Sequence, residues 1–510
     1  MLEARNLWEL VEARAEASPD QRMLVDEAGR SLTFRAYRDA AERAAAGFAE
    51  RGVVAGDVVS WQLPTWIESV VLVSALSRLG AVQNPILPIY REREVGYVTR
   101  AAGAKLFIVP SVWRGFDFEA MARALTEENG GTPEVLTSDK ELPEGDVAAL
   151  PPAPVAEDEP PVRWLFSTSG TTADPKVARH TDKTIMATAR GMSDRLDYGA
   201  DDQNGLAFPF THIGGITWLF SSLLTGGGNI LMEAFDPNET PEVFRREGVT
   251  IAGSGTPFHM AYVAAQRANP ERRLFPNLKN CTGGGAPKPP QLHYDVKEVL
   301  GGPGILSGYG LTEAPILTMS TASDGDEALA ESEGKAMPGV ELKLVTIEGK
   351  VCGIGEEGEV RAKAPQLMLG YLDESLHADA FDEDGYFRSG DLGVLDAEGN
   401  LKITGRLKDI IIRHGENISA KEVEDLLYTH PAVADVAVIG LPDPKTGERA
   451  CAIVAPKEGA SLSFIEMRDF LKEKGLRNQA VPEQLEIVAA VPRNPAGKIL
   501  KHELRAQYGG

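Results

Sequence analysis

A chain of 510 residues exceeds what one hydrophobic core organises, so two or more domains are expected. Hydrophobic residues make up 43% and charged residues 25%, a globular composition, and no apolar run is long enough to cross a bilayer. The net charge of −23 argues against nonspecific nucleic-acid binding and against docking on anionic membranes, but leaves room for an anion held in a local nest. The first ten residues carry acids and no apolar stretch, and residues 507–510 match no retention signal. Cys281, Cys352 and Cys451 form neither a disulfide framework nor a zinc spacing, so a cytoplasmic location is expected.

In chain order, residues 32–51 form an amphipathic segment ending at Gly52, in the position of a helix stop. Residues 57–63 read as a strand, 66–79 as a helix and 105–109 as another strand. Alternating strands and helices predict a parallel sheet covered on both faces. Residues 138–160, rich in Pro, Asp and Glu, predict a loop. The apolar run 162–166 reads as a buried strand, and it leads into residues 167–176, Ser-Thr-Ser-Gly-Thr-Thr-Ala-Asp-Pro-Lys. There Gly170 lets backbone approach an anion, Thr168, Ser169, Thr171 and Thr172 offer hydroxyl donors, and Lys176 adds a charge. The spacing is not that of a Walker A loop. A Ser/Thr-rich surface turn is the other reading of this stretch.

The α/β pattern resumes to about residue 320. His212 stands beside Gly214 and Gly215 at a strand-to-helix junction, where a lone histidine is more often structural. Gly283, Gly284, Gly285 and Ala286 offer bare backbone to a flat ligand, or a tight turn. Tyr309, between Gly308 and Gly310, is placed to stack on a base, and Thr312 and Glu313 offer a hydroxyl and a carboxylate for Mg²⁺ on phosphate oxygens. Short strands with Gly turns between about 338 and 404 predict a smaller all-β unit. Asp391 reads as a turn residue suited to ribose hydroxyls, or as a plain Asx turn. Arg406 and Lys408 flank a predicted domain junction, after which a compact α+β pattern ends in a charged helix over 498–508. Pro and Gly near Lys498 make a loop that presents it; alone it would read as a surface lysine.

These motifs, in this order along nearly the whole chain, resemble the adenylate-forming superfamily: acyl- and aryl-CoA synthetases, peptide-synthetase adenylation domains and firefly-type luciferases. The resemblance is strongest to fatty-acid or alicyclic/aromatic carboxylate–CoA ligases. Six motifs in family order remove most of the single-motif alternatives. The resemblance implies an α/β fold with a large N-terminal AMP-binding domain over 1–405, built of parallel-sheet α/β subdomains and a β-rich unit at about 338–404. A hinge at 406–409 and a small, mobile α+β domain over 410–510 would follow.

The resemblance also implies roles. The loop Thr168, Ser169, Gly170, Thr171, Thr172 with Lys176 would enclose the ATP β- and γ-phosphates. Gly284, Gly285 and Ala286 would line the adenine and acyl cleft, and Tyr309, flanked by Gly308 and Gly310, would stack on adenine. Thr312 would contact the α-phosphate and Glu313 the Mg²⁺. Asp391 and Arg406 would bind ribose, Lys408 would be the hinge, Lys498 would swing in for adenylation, and Gly415 would border the thiol tunnel. His212, Ile213, Gly214, Trp218, Thr256, Gly283 and Ile316 would form the acid pocket, with Phe258 and Met260 adding apolar wall; the other reading is that some of these are ordinary core residues, Trp218 at least as readily as not. No carboxylate follows His212 in residues 213–220, which disfavours amino-acid substrates.

The expected reaction is ATP-dependent ligation of a hydrophobic monocarboxylic acid to coenzyme A through acyl-AMP. The expected partners are a small carboxylic acid and CoA, with neither nucleic acid nor stable membrane insertion, and with a homodimer left open. Three alternatives remain: loading of a carrier-protein phosphopantetheine, a luciferase-like oxidase, for which no oxygen-handling site is visible, and an inactive adenylate-binding regulator. Where the family has Gly, Gly and Pro, this chain has Ala173, Val177 and Ala420; the first two are expected to stiffen the phosphate loop.

Overall fold

The computed structural model describes residues 1–168, 175–286, 288–414, 416–494 and 497–509. Among the described residues, two large sheets build the N-terminal part. One runs Lys176–His180, Trp164–Thr168, Val82–Pro85, Val58–Trp61, Leu106–Val109, Glu134–Thr137. Its first two strands pair antiparallel and the rest are parallel. The other runs Lys335–Ala336, Thr318–Met319, Ile305–Tyr309, Asn280–Gly283, Ile251–Ser254, Gln203–Leu206, Gly228–Leu231, Arg22–Asp26, Ser31–Thr33. Its centre is parallel and its two ends antiparallel. One core cluster holds Trp61 and Trp164 of the first sheet together with Leu206, Ile230 and Ile305 of the second.

The local reasons are visible in the sequence. Helix Ile67–Leu79 is buried along its length, as an apolar-all-round helix must be, and stops at Gly80 with φ +72°. Helix Phe34–Glu50 starts where Thr33 Oγ1 accepts the N–H of Ala36, so Leu32 belongs to a short strand, Ser31–Thr33, and not to the helix. Among the described residues, no helix is long and apolar enough to cross a membrane.

Four antiparallel strands, Glu341–Val345, Gly358–Lys363, Phe387–Leu395 and Leu401–Arg406, form the β-rich sheet. Asp391 therefore sits in a strand, directly opposite Arg406, and not in a turn as expected. The positive φ needed for the local kink falls on Gly390, at +71°. Strand Leu401–Arg406 continues through the 3₁₀ turn Leu407–Asp409 into strand Ile410–Arg413 of the C-terminal sheet. That sheet has its own core, in which Val423, Leu427 and Leu471 of two helices pack on Val436, Val438 and Val454. The last helix is Lys501–Tyr508, so Lys498 precedes it in a turn instead of opening it.

Candidate active site

Strand Lys176–His180 is the scaffold for one side of the site. Lys176 lies opposite Thr168 in the hairpin, and its Nζ stands 5.1 Å over the ring of Tyr371. The segment bearing Tyr371 pairs with the same strand: Leu372 N–H donates to the Val177 carbonyl and Arg179 N–H to the Gly370 carbonyl. Val177 is thus a buried strand residue beyond the loop, packed with Leu165 and Phe107; the stiffening expected of it is ordinary core packing. Ser169, Gly170, Thr171, Thr172 and Ala173 lie outside the described residues, as does Gly415.

Glu313 is buried, and its Oε1 accepts the Tyr371 hydroxyl at 2.8 Å. Its backbone carbonyl accepts Met368 N–H. The turn before it is held from below by His180, whose Nε2 is 2.9 Å from the Thr312 carbonyl. Gly310 permits this turn, because a Cβ there would fall 2.2 Å from Ile316 N. Ile316 itself has φ +49°, a left-handed conformation that a β-branched residue adopts only under constraint.

Tyr309 and Asp391 meet across 82 residues of sequence: the Tyr309 hydroxyl donates to Asp391 Oδ2 at 2.9 Å. Asp391 Oδ1 pairs with Arg406 Nε at 2.8 Å. Each carboxylate oxygen keeps acceptor capacity for a further donor. The Tyr309 hydroxyl is tied and its ring lies in the core with Ala178 and Tyr371, so Tyr309 is less free than its flanking glycines suggested. Burial, then Asp391, raises the pKa of its phenol.

Lys498 is the convergence point. Burial, then the charges of Arg406 and Lys408, pulls its ammonium down to about 8, against the opposing pull of Asp391 and Asp409. Its charge reaches His212, which burial and then Lys498 bring down to about 4. His212 caps helix Ile213–Thr225, with Nδ1 accepting Gly214 N–H at 3.1 Å. The neutral ring then carries its proton on Nε2, as a donor. The loop before Lys498 rests on helix Thr256–Ala268: a Cβ on Gly497 would come 3.0 Å from the Pro257 ring. Lys408 sits in the 3₁₀ turn between the sheets, its pKa lowered by burial and by Arg406. Its neighbour Asp409 binds Arg505 at 2.7 Å. Ala420 takes the first position of helix Ala420–Tyr428, behind the Ser419 cap, where the family's proline would also fit.

Of the expected pocket residues, Ile213 and Thr256 are buried, and Thr256 Oγ1 finds no hydrogen-bond partner in the protein. Gly283 and Gly284 lie at the end of strand Asn280–Gly283; a Cβ on Gly284 would touch only the Gly308 carbonyl, at 3.4 Å. Gly285, with φ +75°, and Ala286 follow. Trp218 lies on another face of its helix than Ile213. Five positions after Ile213, it is turned roughly 140° around the helix. It packs edge-to-face on Tyr198 at 5.3 Å, and the Tyr198 hydroxyl donates to the Gly228 carbonyl. It belongs to the core behind the helix. His180 and Tyr371 were missed in the sequence; their partners are far off in the chain, and only the histidine's place at the end of the lysine strand hinted at a role.

Residues 11–372 match the AMP-binding enzyme family, and residues 422–498 match the AMP-binding enzyme C-terminal domain. The chain belongs to the AMP-binding enzyme family. It is an AMP-forming ligase by kinship, and family membership implies use of ATP. It is 32% identical over 504 residues to the medium-chain fatty-acid–CoA ligase of Escherichia coli K12, covering 96% of this chain and 88% of that protein. Salicyl-AMP ligase / salicyl-S-ArCP synthetase of Mycobacterium tuberculosis is also 32% identical, over 530 residues, covering 99% and 91%. MatB of Rhodopseudomonas palustris in its ATP-bound structure superimposes with a TM-score of 0.88 at 26% identity, covering 98% of this chain and 99% of that one. Apo MatB gives 0.77 at 27% identity, covering 99% of each chain. The present arrangement is thus more similar to the ATP-bound form of that relative.

Proposed function

We propose that the chain is an ATP-dependent acid–thiol ligase that activates a hydrophobic monocarboxylic acid, medium-chain or alicyclic or aromatic, as acyl-AMP and passes the acyl group to coenzyme A. The observation that carries this reading is the seat of Lys498: a small-domain lysine sharing one electrostatic neighbourhood with Arg406, Lys408, Asp391 and His212. A carboxylate is a poor electrophile because oxide is a hopeless leaving group. Attack of its oxygen on the ATP α-phosphorus forms a C–O–P bond, breaks the α–β bridge and expels pyrophosphate. Lys498, with Thr312, would neutralise charge developing on the α-phosphate. His212 Nε2–H would orient the acid. Asp391 and Arg406 would hold ribose, Tyr309 adenine, and Lys176 the outer phosphates.

Among the described residues, no cluster of three or more His, Cys, Asp or Glu side chains could hold a metal. A lone carboxylate, Glu313, with Oε1 spent on Tyr371, suits a metal that arrives on the nucleotide. Magnesium so bound would supply charge neutralisation at the phosphates. In the second step the thiol releases its proton to solvent, its sulfur bonds to the acyl carbon, the C–O bond to phosphate breaks, and AMP leaves. Lys498 would have to vacate the site first, by rotation about Lys408. The hydrophobic acid class rests on the apolar residues expected of the pocket, Ile213, Phe258 and Ile316, and on the lack of a carboxylate in residues 213–220.

The equal identity to the salicyl-S-ArCP synthetase favours one second reading, transfer to a carrier-protein phosphopantetheine. Pyrophosphate release across octanoate, cyclohexanecarboxylate, benzoate, salicylate and amino acids tests the first step. Preference for an amino acid overturns the acid class, and no release with any acid points to an inactive regulator. Offering CoA and a phosphopantetheinylated carrier to the same adenylate decides the acceptor.

A further inference from the structure

We infer that Arg493 and Asp435 form a positioning device that sets the approach of Lys498. This rests on the role given to Lys498 above. Arg493 grips Asp435 in two places, Nη2 to Oδ1 at 2.8 Å and Nε to Oδ2 at 3.1 Å. Asp435 lies in strand Val433–Asp443, the longest strand of the C-terminal sheet. The third arm of the guanidinium, Nη1, donates to the Gly497 carbonyl at 2.6 Å. One planar fork thus spans from a rigid strand to the peptide group that directly precedes Lys498.

The rest of the turn leaves Lys498 little backbone freedom. Its N–H donates to Asn494 Oδ1 at 2.9 Å, and its carbonyl accepts Asn494 N–H at 2.8 Å. Arg493 bridges Ile499 antiparallel. With N–H, C=O and the preceding carbonyl all committed, only the side-chain torsions of Lys498 remain. The Arg493 and Asp435 side chains are 15% and 19% exposed, so the pair is largely withdrawn from water and keeps its geometry. On its other side the loop meets Pro257, whose ring a Cβ on Gly497 would press at 3.0 Å. Arg493 holds the loop from the small-domain side while Pro257 bounds it from the large-domain side. The ammonium must meet a phosphoryl group within a fraction of an ångström, and a misplacement of about 1 Å costs on the order of 10²-fold in rate.

The test measures both half-reactions in Arg493→Gln, Arg493→Lys and Asp435→Asn, with Lys498→Ala as reference. The substrate is the panel acid that releases pyrophosphate fastest; the second step starts from its presynthesised adenylate and the thiol acceptor that turns over. Expected is a fall in kcat for pyrophosphate release of about 10-fold or more in Arg493→Gln and Asp435→Asn, with KM for ATP and acid little changed. Thioester formation should stay within about 2-fold of the parent. Arg493→Lys, which keeps the charge but cannot reach both partners, should fall between. Asp435→Asn preserves size and serves where Arg493→Gln lowers the yield of folded protein. If Lys498→Ala slows adenylation but the Arg493 and Asp435 variants do not, the positioning role is overturned and the lysine's role stands. Equal loss in both half-reactions, following the melting temperature, also overturns it as a merely structural pair. If Lys498→Ala leaves adenylation intact, it is the reading of Lys498 that fails.

Discussion

The Nε2 atom of His180 lies 2.9 Å from the carbonyl oxygen of Thr312, 132 residues further along the chain. A carbonyl only accepts, so Nε2 carries the proton. Burial brings this imidazole down to about 4, the Thr312 carbonyl opposing, and the ring is neutral at ordinary pH. Nδ1 faces Thr184 Oγ1 at 3.0 Å. A neutral strut therefore joins the strand carrying Lys176 to the turn carrying Thr312 and Glu313.

Removing the strut leaves a carbonyl without its donor. We expect His180→Ala to lower stability by about 1–3 kcal/mol and to raise KM for ATP, since the strand of Lys176 and the turn of Thr312, both proposed to hold phosphate, lose their common anchor. His180→Gln, whose amide nitrogen can reach toward the same carbonyl, should recover part of both. Urea unfolding and steady-state kinetics report the two effects, and an alanine variant matching the parent in both would show that the contact is idle.

Lys498→Ala should divide the reaction. If its charge serves the α-phosphate as proposed, adenylation should fall roughly 10²-fold or more. Thioester formation from supplied acyl-adenylate, for which the proposed rotation withdraws the lysine, should be spared. Rapid-quench measurement of each half-reaction reads this directly, and parallel losses would remove Lys498 from the adenylation step.

The same lysine is expected to set an alkaline limit. Free in solution its pKa is near 10.5, but docked beside Arg406 and Lys408 it is about 8. The docked form therefore binds fewer protons between those values, and docking is favoured as pH rises, but it delivers a neutral amine. Adenylation kcat/KM should fall above about pH 8, whereas the limb in kcat should lie higher, because bound phosphates pull the proton back onto the lysine. Lys498→Arg stays charged and should show no such limb. An unchanged limb in that variant would assign the titration to another group.

Asp391 stands between Tyr309 and Arg406 and holds both. Asp391→Asn keeps the shape but removes the charge facing a cation that is 29% exposed. Solvent around Arg406 limits the penalty to about 1–2 kcal/mol of stability. ATP affinity should drop by about 10-fold, as a loss of ~1.4 kcal/mol implies. Calorimetric titration with a non-hydrolysable nucleotide checks it; unaltered affinity would leave Asp391 a structural residue only.

How much of this was legible in the sequence depended on range. Strand Leu106–Val109 and helix Ile67–Leu79 follow from local apolar patterning, because burial on all sides writes itself into consecutive residues. Asp391 was misread as a turn residue because Gly385, Gly390 and Gly393 look like turn signals, whereas its partner Arg406 comes from the next strand, a pairing no local pattern encodes. Tyr371 and His180 were silent for the same reason: each acts through a contact to the Thr312–Glu313 turn made only after folding. Arg493 stands five residues before Lys498, but its partner, Asp435, lies 58 residues earlier than Arg493 in the chain.

Trp218 gives the sharpest separation between core and pocket. It faces Tyr198 on the far side of the helix from Ile213. Trp218→Phe removes part of a large buried ring and should cost about 1–3 kcal/mol in stability while leaving the order of preferred acids unchanged. Ile213→Ala, next to His212, should instead reorder that preference toward bulkier acids, since it opens space at the acid end. Pyrophosphate release across the acid panel, beside the melting temperatures of both variants, separates these outcomes. A reordered panel with an unchanged melting temperature in Trp218→Phe would mean that this side of the helix, and not the Ile213 side, meets the acid.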